Sequence, residues 1–323
     1  MASGDTAAVT LHDLPMRESQ KGASISMDVL KIHPRGYCYG VVDAITMAKR
    51  VAQDPNVPRP IYILGQIVHN QHTVLELEHY GITTLDGASR LELLDQVPDG
   101  ATVIFTAHGI SPSVKAKAQA RGLTVFDATC PDVTKTHTLI QEKTRAGYSI
   151  VYIGTKGHPE PEGAMGEAPA SRVCLVTRLE EVDDVPFSPN DPIAIVTQTT
   201  LSQWDTAAII DKLQERYPHA EVHNEICMAT QLRQEAAVKA ADEVDMVVVV
   251  GDRRSNNSNR LVEVVEKIGH KPSVRVESAE DLRPEWFVGV STVGVTAGSS
   301  TPSRITRDVI KALETLPDSP NNG

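Results

Sequence analysis

The sequence predicts an α/β protein built from three similar units that meet at one centre. Strand-like runs alternate with helical runs along almost all of the 323 residues, which is the pattern of parallel or mixed sheets covered by helices. In addition, Cys38, Cys130 and Cys227 each stand where a strand-like run ends and a helical run begins. They lie 92 and 97 residues apart (130 − 38 and 227 − 130). This near-even spacing indicates an internal repeat that offers one thiol per unit.

The junction at Cys130 shows why these thiols are functional candidates. The β-branched and aromatic run 124–127 predicts a buried strand, and Pro131 suits the first position of a helix. The unpaired N–H groups and the dipole of a helix N-terminus favour a negative charge, so we expect a lowered thiol pKa there. The sequence therefore predicts a sulfur ligand or nucleophile at Cys130, and the same at Cys38 and Cys227.

We expect the chain to divide into three units and two tails. The expected segments are an N-terminal tail at 1–27, a first α/β unit at 39–130, a second at 131–226, a third made of 28–38 with 227–313, and a C-terminal tail at 314–323.

The bulk properties exclude several classes of protein. A formal net charge of −11 with 4% aromatic residues argues against a nucleic-acid binder. No apolar run is long enough to span a bilayer, and the polar N-terminus lacks the apolar core of a signal peptide. Four cysteines without close pairs do not resemble a disulfide framework, and Cys174 lies inside a predicted strand as a structural residue. We expect a cytoplasmic protein of bacterial type with no membrane or nucleic-acid partner.

Polar loops follow six of the predicted strands, and they contain the remaining candidate residues. Ligands of open α/β sheets bind at the carboxyl ends of strands, so these loops should line one polar cavity. Its strongest donors for an anionic group are His69, His108 and His158. Neutral donors beside helix N-termini, the usual setting for phosphate oxygens, are Ser255, Asn257 and Ser300.

Glu160 is the best candidate for a general acid, because it stands beside His158 in a tight loop flanked by prolines. Burial in the predicted pocket would raise the pKa of its carboxyl group and so keep a proton available. Thr199, at the end of another strand, could orient that proton. Glu162 has the pattern of a solvated loop charge.

Three thiols without a local C-x-x-C pair argue against a zinc ribbon. Three ligands from separate units could hold a [4Fe–4S] cluster and leave one iron without a protein ligand, where it could bind and reduce a substrate. Two other functions stay open on the residues alone. One is a cluster-bearing redox sensor or electron carrier without a substrate, and the other is a zinc hydrolase built on His69, His108, His158 and Glu160.

From about Val29 to Leu313 the sequence resembles the LytB-type family of 4-hydroxy-3-methylbut-2-enyl diphosphate reductases. The motifs that carry the resemblance are Pro34-Arg-Gly-Tyr-Cys38, Val68-His69-Asn70, Ala107-His108-Gly109, Asp127-Ala-Thr-Cys130-Pro131, Gly157-His-Pro-Glu160, Thr197-Gln-Thr199-Thr200, Ser255-Asn-Asn-Ser-Asn-Arg260 and Val295-Thr-Ala-Gly298. Asn256 stands where the family commonly has a second serine, and it can still offer amide and backbone donors.

The resemblance implies a trefoil of three α/β domains with pseudo-threefold arrangement around a central [4Fe–4S] cluster. It implies that Cys38, Cys130 and Cys227 bind the cluster and that Glu160 donates the proton that lets water leave. The substrate would be (E)-4-hydroxy-3-methylbut-2-enyl diphosphate, reduced with electrons from ferredoxin or flavodoxin to isopentenyl and dimethylallyl diphosphate. The implied substrate-binding residues are His69, His108, His158, Thr199, Ser255, Asn256, Asn257 and Ser300.

Overall fold

The computed structural model describes residues 27–87 and 89–316. The predicted tails at 1–27 and 314–323 therefore lie almost entirely outside the described residues. At their inner ends, Met27 packs against the core of one sheet and Glu314 is the last residue of a helix.

Within the described residues, twelve short strands form three separate sheets of four parallel strands. In chain order they are β1 (Asp28–Lys31), β2 (Ile61–Leu64), β3 (Ile82–Leu85), β4 (Thr102–Phe105), β5 (Thr124–Asp127), β6 (Ser149–Ile153), β7 (Val173–Val176), β8 (Ile193–Thr197), β9 (Glu221–His223), β10 (Met246–Val250), β11 (Ser273–Val276) and β12 (Thr292–Ala297). The central strands β4, β8 and β10 are buried at every residue, because helices cover both faces of each sheet.

Ten α-helices connect and cover these strands in the described part of the chain. They are α1 (Tyr39–Gln53), α2 (Gln71–Glu78), α3 (Arg90–Asp95), α4 (Pro112–Ala120), α5 (Pro131–Arg145), α6 (Pro159–Met165), α7 (Gln203–Arg216), α8 (Met228–Ala241), α9 (Asn256–Lys267) and α10 (Ser303–Glu314). Short 3₁₀ helices occupy 170–172, 179–184, 279–281 and 284–287. Between residues 27 and 316, leaving out 88, no helix combines the length and apolar character needed to cross a bilayer.

Helix α10 illustrates why these segments are helical. Ile305, Val309 and Leu313 recur at a spacing of four residues and are buried against the third sheet, while Arg304 and Arg307 face solvent. Burying each of the three apolar side chains contributes roughly 1.5–3 kcal/mol.

The three sheets share one strand order. The orders are β3-β2-β4-β5, β7-β6-β8-β9 and β11-β10-β12-β1. Counted along the chain within each sheet, the order is second, first, third, fourth, except that β1 from the start of the chain takes the fourth place of the third sheet. The prediction of three similar α/β units in a trefoil-like arrangement is confirmed. The residue limits of the units stay a prediction.

This shared topology sorts the loops into two kinds. The strand order reverses between the first and third strands of each sheet, and that point is where open α/β sheets bind ligands. The six predicted polar loops follow those first and third strands. Cys130, Cys227 and Cys38 instead follow the fourth strands β5, β9 and β1.

Candidate active site

All twelve residues that the sequence singles out line one cavity between the three units. They are Cys38, His69, His108, Cys130, His158, Glu160, Thr199, Cys227, Ser255, Asn256, Asn257 and Ser300. Each unit contributes one thiol from its fourth strand and polar side chains from its first and third strands. Their roles as ligands or catalysts stay predictions, but the structure brings them together.

The three thiols occupy equivalent positions at the start of helices. Cys38, Cys130 and Cys227 are the N-cap residues of α1, α5 and α8, and none of them forms a side-chain cap hydrogen bond. All three are free and half-buried. Gly40 lets α1 approach the neighbouring thiol closely, because a Cβ atom there would lie 2.5 Å from Sγ of Cys130.

The three thiols line one cavity but do not meet at one ion-sized point. Among the described residues, the set of three possible ligand atoms that lie within 4.8 Å of one another belongs to the histidines and includes no sulfur. A single tetrahedral ion requires its ligands to be closer together than that limit. Three sulfurs that share a cavity but not one ion-sized point fit a cluster of several metal atoms.

The expectation of a lowered thiol pKa is wrong for Cys130 in the metal-free protein. Burial raises the pKa of Cys130 to about 12 and outweighs the N–H groups of Asp132 and Val133, which lower it. Burial likewise raises the pKa of Cys227. Since a metal ligand must be the thiolate, metal binding would release protons from these groups.

His69, His108 and His158 form a compact cluster beside the thiols. Their ring centroids are 4.3, 5.1 and 5.2 Å apart. Burial lowers the pKa of His69 to about 4 and that of His158 to about 3, and it also lowers the pKa of His108. The rings are therefore neutral near pH 7, and each neutral ring has one N–H donor and one acceptor nitrogen. Nε2 of His69 and of His108 are buried without a hydrogen-bond partner among the described residues.

His158 has a fixed tautomer. Its Nδ1 accepts hydrogen bonds from the N–H of Glu160 (3.2 Å) and from Nε2 of Gln198 (3.1 Å). The N–H of Thr155 donates to Oε1 of Gln198 (2.8 Å), which sets the orientation of that amide. The proton of the neutral ring must then be on Nε2, where it can be donated to an anion. A metal-bound histidine has the opposite pattern, because its second nitrogen donates to an acceptor.

Hydroxyl and amide groups of the third unit complete the polar side of the cavity. Oγ of Ser300 donates to the carbonyl of His69 (2.9 Å) and lies 3.4 Å from Oγ of Ser255. The Oδ1 atom of Asn257 accepts from the N–H of Ser299 (3.1 Å). The Nδ2 atom of Asn256 donates to the carbonyl of Thr200 (3.1 Å), which joins the second and third units.

Glu160 lies in the first turn of α6 and is 1% exposed. The N–H of Thr199 donates to Oε1 of Glu160 (2.7 Å). Burial raises the pKa of the Glu160 carboxyl to about 7, although the hydrogen bonds from Thr199 oppose this. The carboxyl is thus close to half protonated at neutral pH, as a general acid requires.

Two residues that influence the histidines of the site were missed by the sequence analysis. Gln198 orients His158, and its position between Thr197 and Thr199 in a quoted motif was the available signal. Arg90 is 9% exposed, and its guanidinium packs so closely on Gly65 that a Cβ there would lie 2.7 Å from Nη2. After burial, its charge also lowers the pKa values of His69, His108 and His158. No local pattern marks Arg90, since it follows a loop rather than a strand.

The fold and the cavity define a class of protein in which three α/β units share one site lined by three thiols and three buried histidines. The family model described as "LytB protein" matches residues 29–314. The 4-hydroxy-3-methylbut-2-enyl diphosphate reductase of Symbiobacterium thermophilum is 57% identical over 288 residues, which cover 89% of this chain and 97% of that protein. The protein of the same name from Halalkalibacterium halodurans is 57% identical and covers 89% and 91%.

Solved structures agree with these relatives. The E-1-hydroxy-2-methyl-but-2-enyl-4-diphosphate reductase from Plasmodium falciparum matches with a TM-score of 0.83 and 35% identity, over 88% of this chain and 87% of that one. A second structure, of (E)-4-hydroxy-3-methyl-but-2-enyl diphosphate reductase, the terminal enzyme of the non-mevalonate pathway, matches with a TM-score of 0.63 and 32% identity over 90% and 100%. The chain belongs to the LytB family, and the resemblance is confirmed. Membership implies an iron–sulfur cluster.

Proposed function

We propose that this protein removes the hydroxyl group of (E)-4-hydroxy-3-methylbut-2-enyl diphosphate by reduction and forms isopentenyl and dimethylallyl diphosphate. This is the last step of the methylerythritol phosphate pathway to isoprenoids. The observation that carries the proposal is that one cavity holds three thiols, three neutral histidines and the buried carboxyl of Glu160. The names of the relatives support the same reaction.

Cys38, Cys130 and Cys227 would hold a [4Fe–4S] cluster through their three sulfurs. When bound, the cluster supplies electrons and an iron without a protein ligand that acts as a Lewis acid toward the substrate hydroxyl. The N–H groups at the starts of α1, α5 and α8 favour negative charge there. Arg233, 4% exposed, adds a buried cation near Cys38 and Cys227, and it holds the Cys38 loop by donating to the carbonyl of Gly36 (2.7 Å).

The diphosphate would lie among the donors at the ends of the first and third strands. His158 offers an Nε2–H group of fixed direction, and beside it lie the Nε2 atoms of His69 and His108, which have no hydrogen-bond partner in the described part of the chain. An anion near these rings raises their pKa values, so His69 and His108 can gain protons as it binds. The remaining donors are Thr199, Ser255, Asn256, Asn257 and Ser300.

Glu160 would donate the proton to the departing hydroxyl group, which leaves as water. The carboxyl is protonated at pH values below about 7 and is shielded from bulk water. The N–H of Thr199 binds Oε1 and so restricts the orientation of the carboxyl group. The backbone N–H of Glu160 binds His158, which couples the acid to the diphosphate donors.

The test is anaerobic turnover of the hydroxylated diphosphate with reduced methyl viologen, after reconstitution of the cluster. We expect Glu160→Gln to keep its iron and its visible spectrum but to lose about 10²–10⁴-fold in turnover. Glu162→Gln is the matched control, because this exposed carboxylate lies one position beyond Pro161 in the same helix. Equal turnover in the two variants would refute the role of Glu160.

One second function merits a test, because His69, His108 and His158 lie close enough to hold an ion. A zinc hydrolase requires zinc and no iron in the purified protein. Two N–H groups, from Glu160 and Gln198, already donate to Nδ1 of His158. The ring proton is then on Nε2, and this arrangement argues against a histidine that binds zinc. A redox sensor without a substrate, the other alternative, predicts a cluster spectrum that added substrate does not change.

We also propose ferredoxin or flavodoxin as the source of electrons and the bacterial cytoplasm as the location. The reaction consumes two electrons, which a cluster passes on one at a time, and this suits a one-electron carrier protein. Turnover with a reduced ferredoxin in place of methyl viologen tests this part separately.

A further inference from the structure

A large open groove lies on the outer side of α1, away from the central cavity. It encloses about 740 Å³ between α1, α2 and the start of α10, and it shares no lining residue with the central cavity. A second groove of about 290 Å³ continues from it on the other side of Ser303. We refer to the two together as the α1–α10 groove.

The α1–α10 groove is basic in a chain whose net charge is −11. Its lysine and arginine residues are Lys49, Arg304, Arg35 and Arg307. Among its described lining residues the one carboxylate is that of Glu76, which is already paired with Lys49 (2.5 Å). Arg304 and Arg307 are exposed on α10. This surface attracts an acidic partner that the rest of the molecule would repel.

The groove also has the composition of a protein-binding surface. Leu75 of α2, which lines the groove together with Lys49 of α1 and Arg304 of α10, is 45% exposed. Protein interfaces combine an exposed apolar centre with a charged, solvated rim. The arrangement therefore fits a folded protein better than a small anion.

The groove and the central cavity are joined by two consecutive residues. Tyr37 lines the groove, and Cys38 lines the central cavity. The hydroxyl of Tyr37 lies 3.0 Å from Oγ1 of Thr73, and its ring packs against the core of the first unit. An electron that enters at the groove can thus reach the proposed cluster ligand through a short covalent path.

We propose that the α1–α10 groove is the docking site of an acidic protein with a one-electron centre, and that electrons pass by way of Tyr37 and Cys38. This rests on the proposed function, because it identifies where the reducing partner binds. Each encounter oxidises one reduced donor by one electron. Two encounters supply two electrons, which with two protons convert the C–OH group of the substrate into C–H and release water.

The test is a double charge reversal, Arg304→Glu with Arg307→Glu. Both side chains are exposed, and at position 304, in the first turn of α10, a glutamate is favourable to the helix dipole, so we expect the fold to be retained. The matched control is Arg145→Glu with Arg172→Glu. These arginines are exposed on the second unit, and their reversal changes the net charge by the same amount.

The probe is a bacterial [4Fe–4S] ferredoxin with an acidic surface, and two measurements are made at low salt. Calorimetric titration of the holoenzyme should show a dissociation constant raised at least about tenfold in the groove variant and unchanged in the control. The KM for reduced ferredoxin should rise similarly, while turnover with reduced methyl viologen stays within about twofold.

Equal ferredoxin binding by the groove variant and the control would overturn the docking site. Equal weakening in both variants would also overturn it, because net charge alone would then explain the effect. If the unmodified enzyme fails to turn over with methyl viologen, the proposed function fails, and the binding measurement still decides the docking site independently.

Discussion

Two kinds of helix start lie in or next to the central cavity, and they differ in what the N-cap residue does. Asn70, His158 and Ser255 accept a backbone N–H of their own helix. Cys38, Cys130 and Cys227 stand at the same position and leave it without a cap hydrogen bond. A good N-cap contributes about 1 kcal/mol to helix stability, and the cysteine side chains at these three positions do not make that hydrogen bond. The difference indicates that these three positions are suited to a ligand that the folded chain does not itself provide.

The largest effect is expected for Cys130→Ser, which replaces an uncapped helix start by one that serine can cap. Serine is a strong N-cap and a poor iron ligand, so the metal-free protein should keep its thermal stability while turnover falls at least about 10³-fold. Iron analysis and anaerobic turnover measure this. Cys174→Ser, in the interior of β7, is the control and should keep its iron. Full iron content in the Cys130 variant would contradict the proposed ligand set.

A smaller effect is expected when a capped helix start is altered by substitution of His158. Asparagine can still accept the N–H of Glu160, but it lacks the Nε2–H group proposed for the diphosphate. His158→Asn should therefore raise the substrate KM by roughly 10–150-fold, the cost of about 1.5–3 kcal/mol for a hydrogen bond to a charged group. Its melting temperature should exceed that of His158→Ala, which loses the cap as well. An unchanged KM in both variants would remove His158 from the binding site.

The dependence of activity on pH tests a second role of a capped helix. Glu160, the proposed acid, lies in α6, and the N-cap residue of α6 is His158. The pKa of Glu160 is raised to about 7, so its carboxyl is neutral below that pH and ionised above it. The value of kcat/KM should fall about tenfold per pH unit above 7. The residual activity of Glu160→Gln should lack this decline. A wild-type profile that stays flat up to pH 9 would exclude the acid role.

The smallest effect is expected at a capped helix outside the cavity. Ser202 accepts the N–H of Asp205 at the start of α7 (3.3 Å). Ser202→Ala should lower the free energy of unfolding by about 1 kcal/mol and leave KM unchanged. Urea unfolding and steady-state kinetics measure both quantities. A raised KM would mean that caps near the cavity act on binding through the backbone, which would weaken the distinction between the two kinds.

The sequence predicted the positions of the site because each candidate stands at the end of a strand. Parallel strands bring their carboxyl ends to one edge, so His69, Ser255 and the thiols could be assigned to one cavity. The pKa of Cys130 could not be predicted, since it depends on burial between units. The role of Arg90 and the contact of Gly40 with Cys130 could not be predicted either, because they depend on how the units pack against one another.

The pairing of β1 with β12 has a consequence for the order of events during protein synthesis. Asp28 of β1 pairs with Thr292 of β12, so β1 has no neighbour in its sheet until the chain has been translated as far as β12. The loop that carries Cys38 directly follows β1. Among the three thiols of the cavity, Cys38 is translated before Cys130 and Cys227 but is fixed in place only with β12, so loading of the proposed cluster would follow translation rather than accompany it.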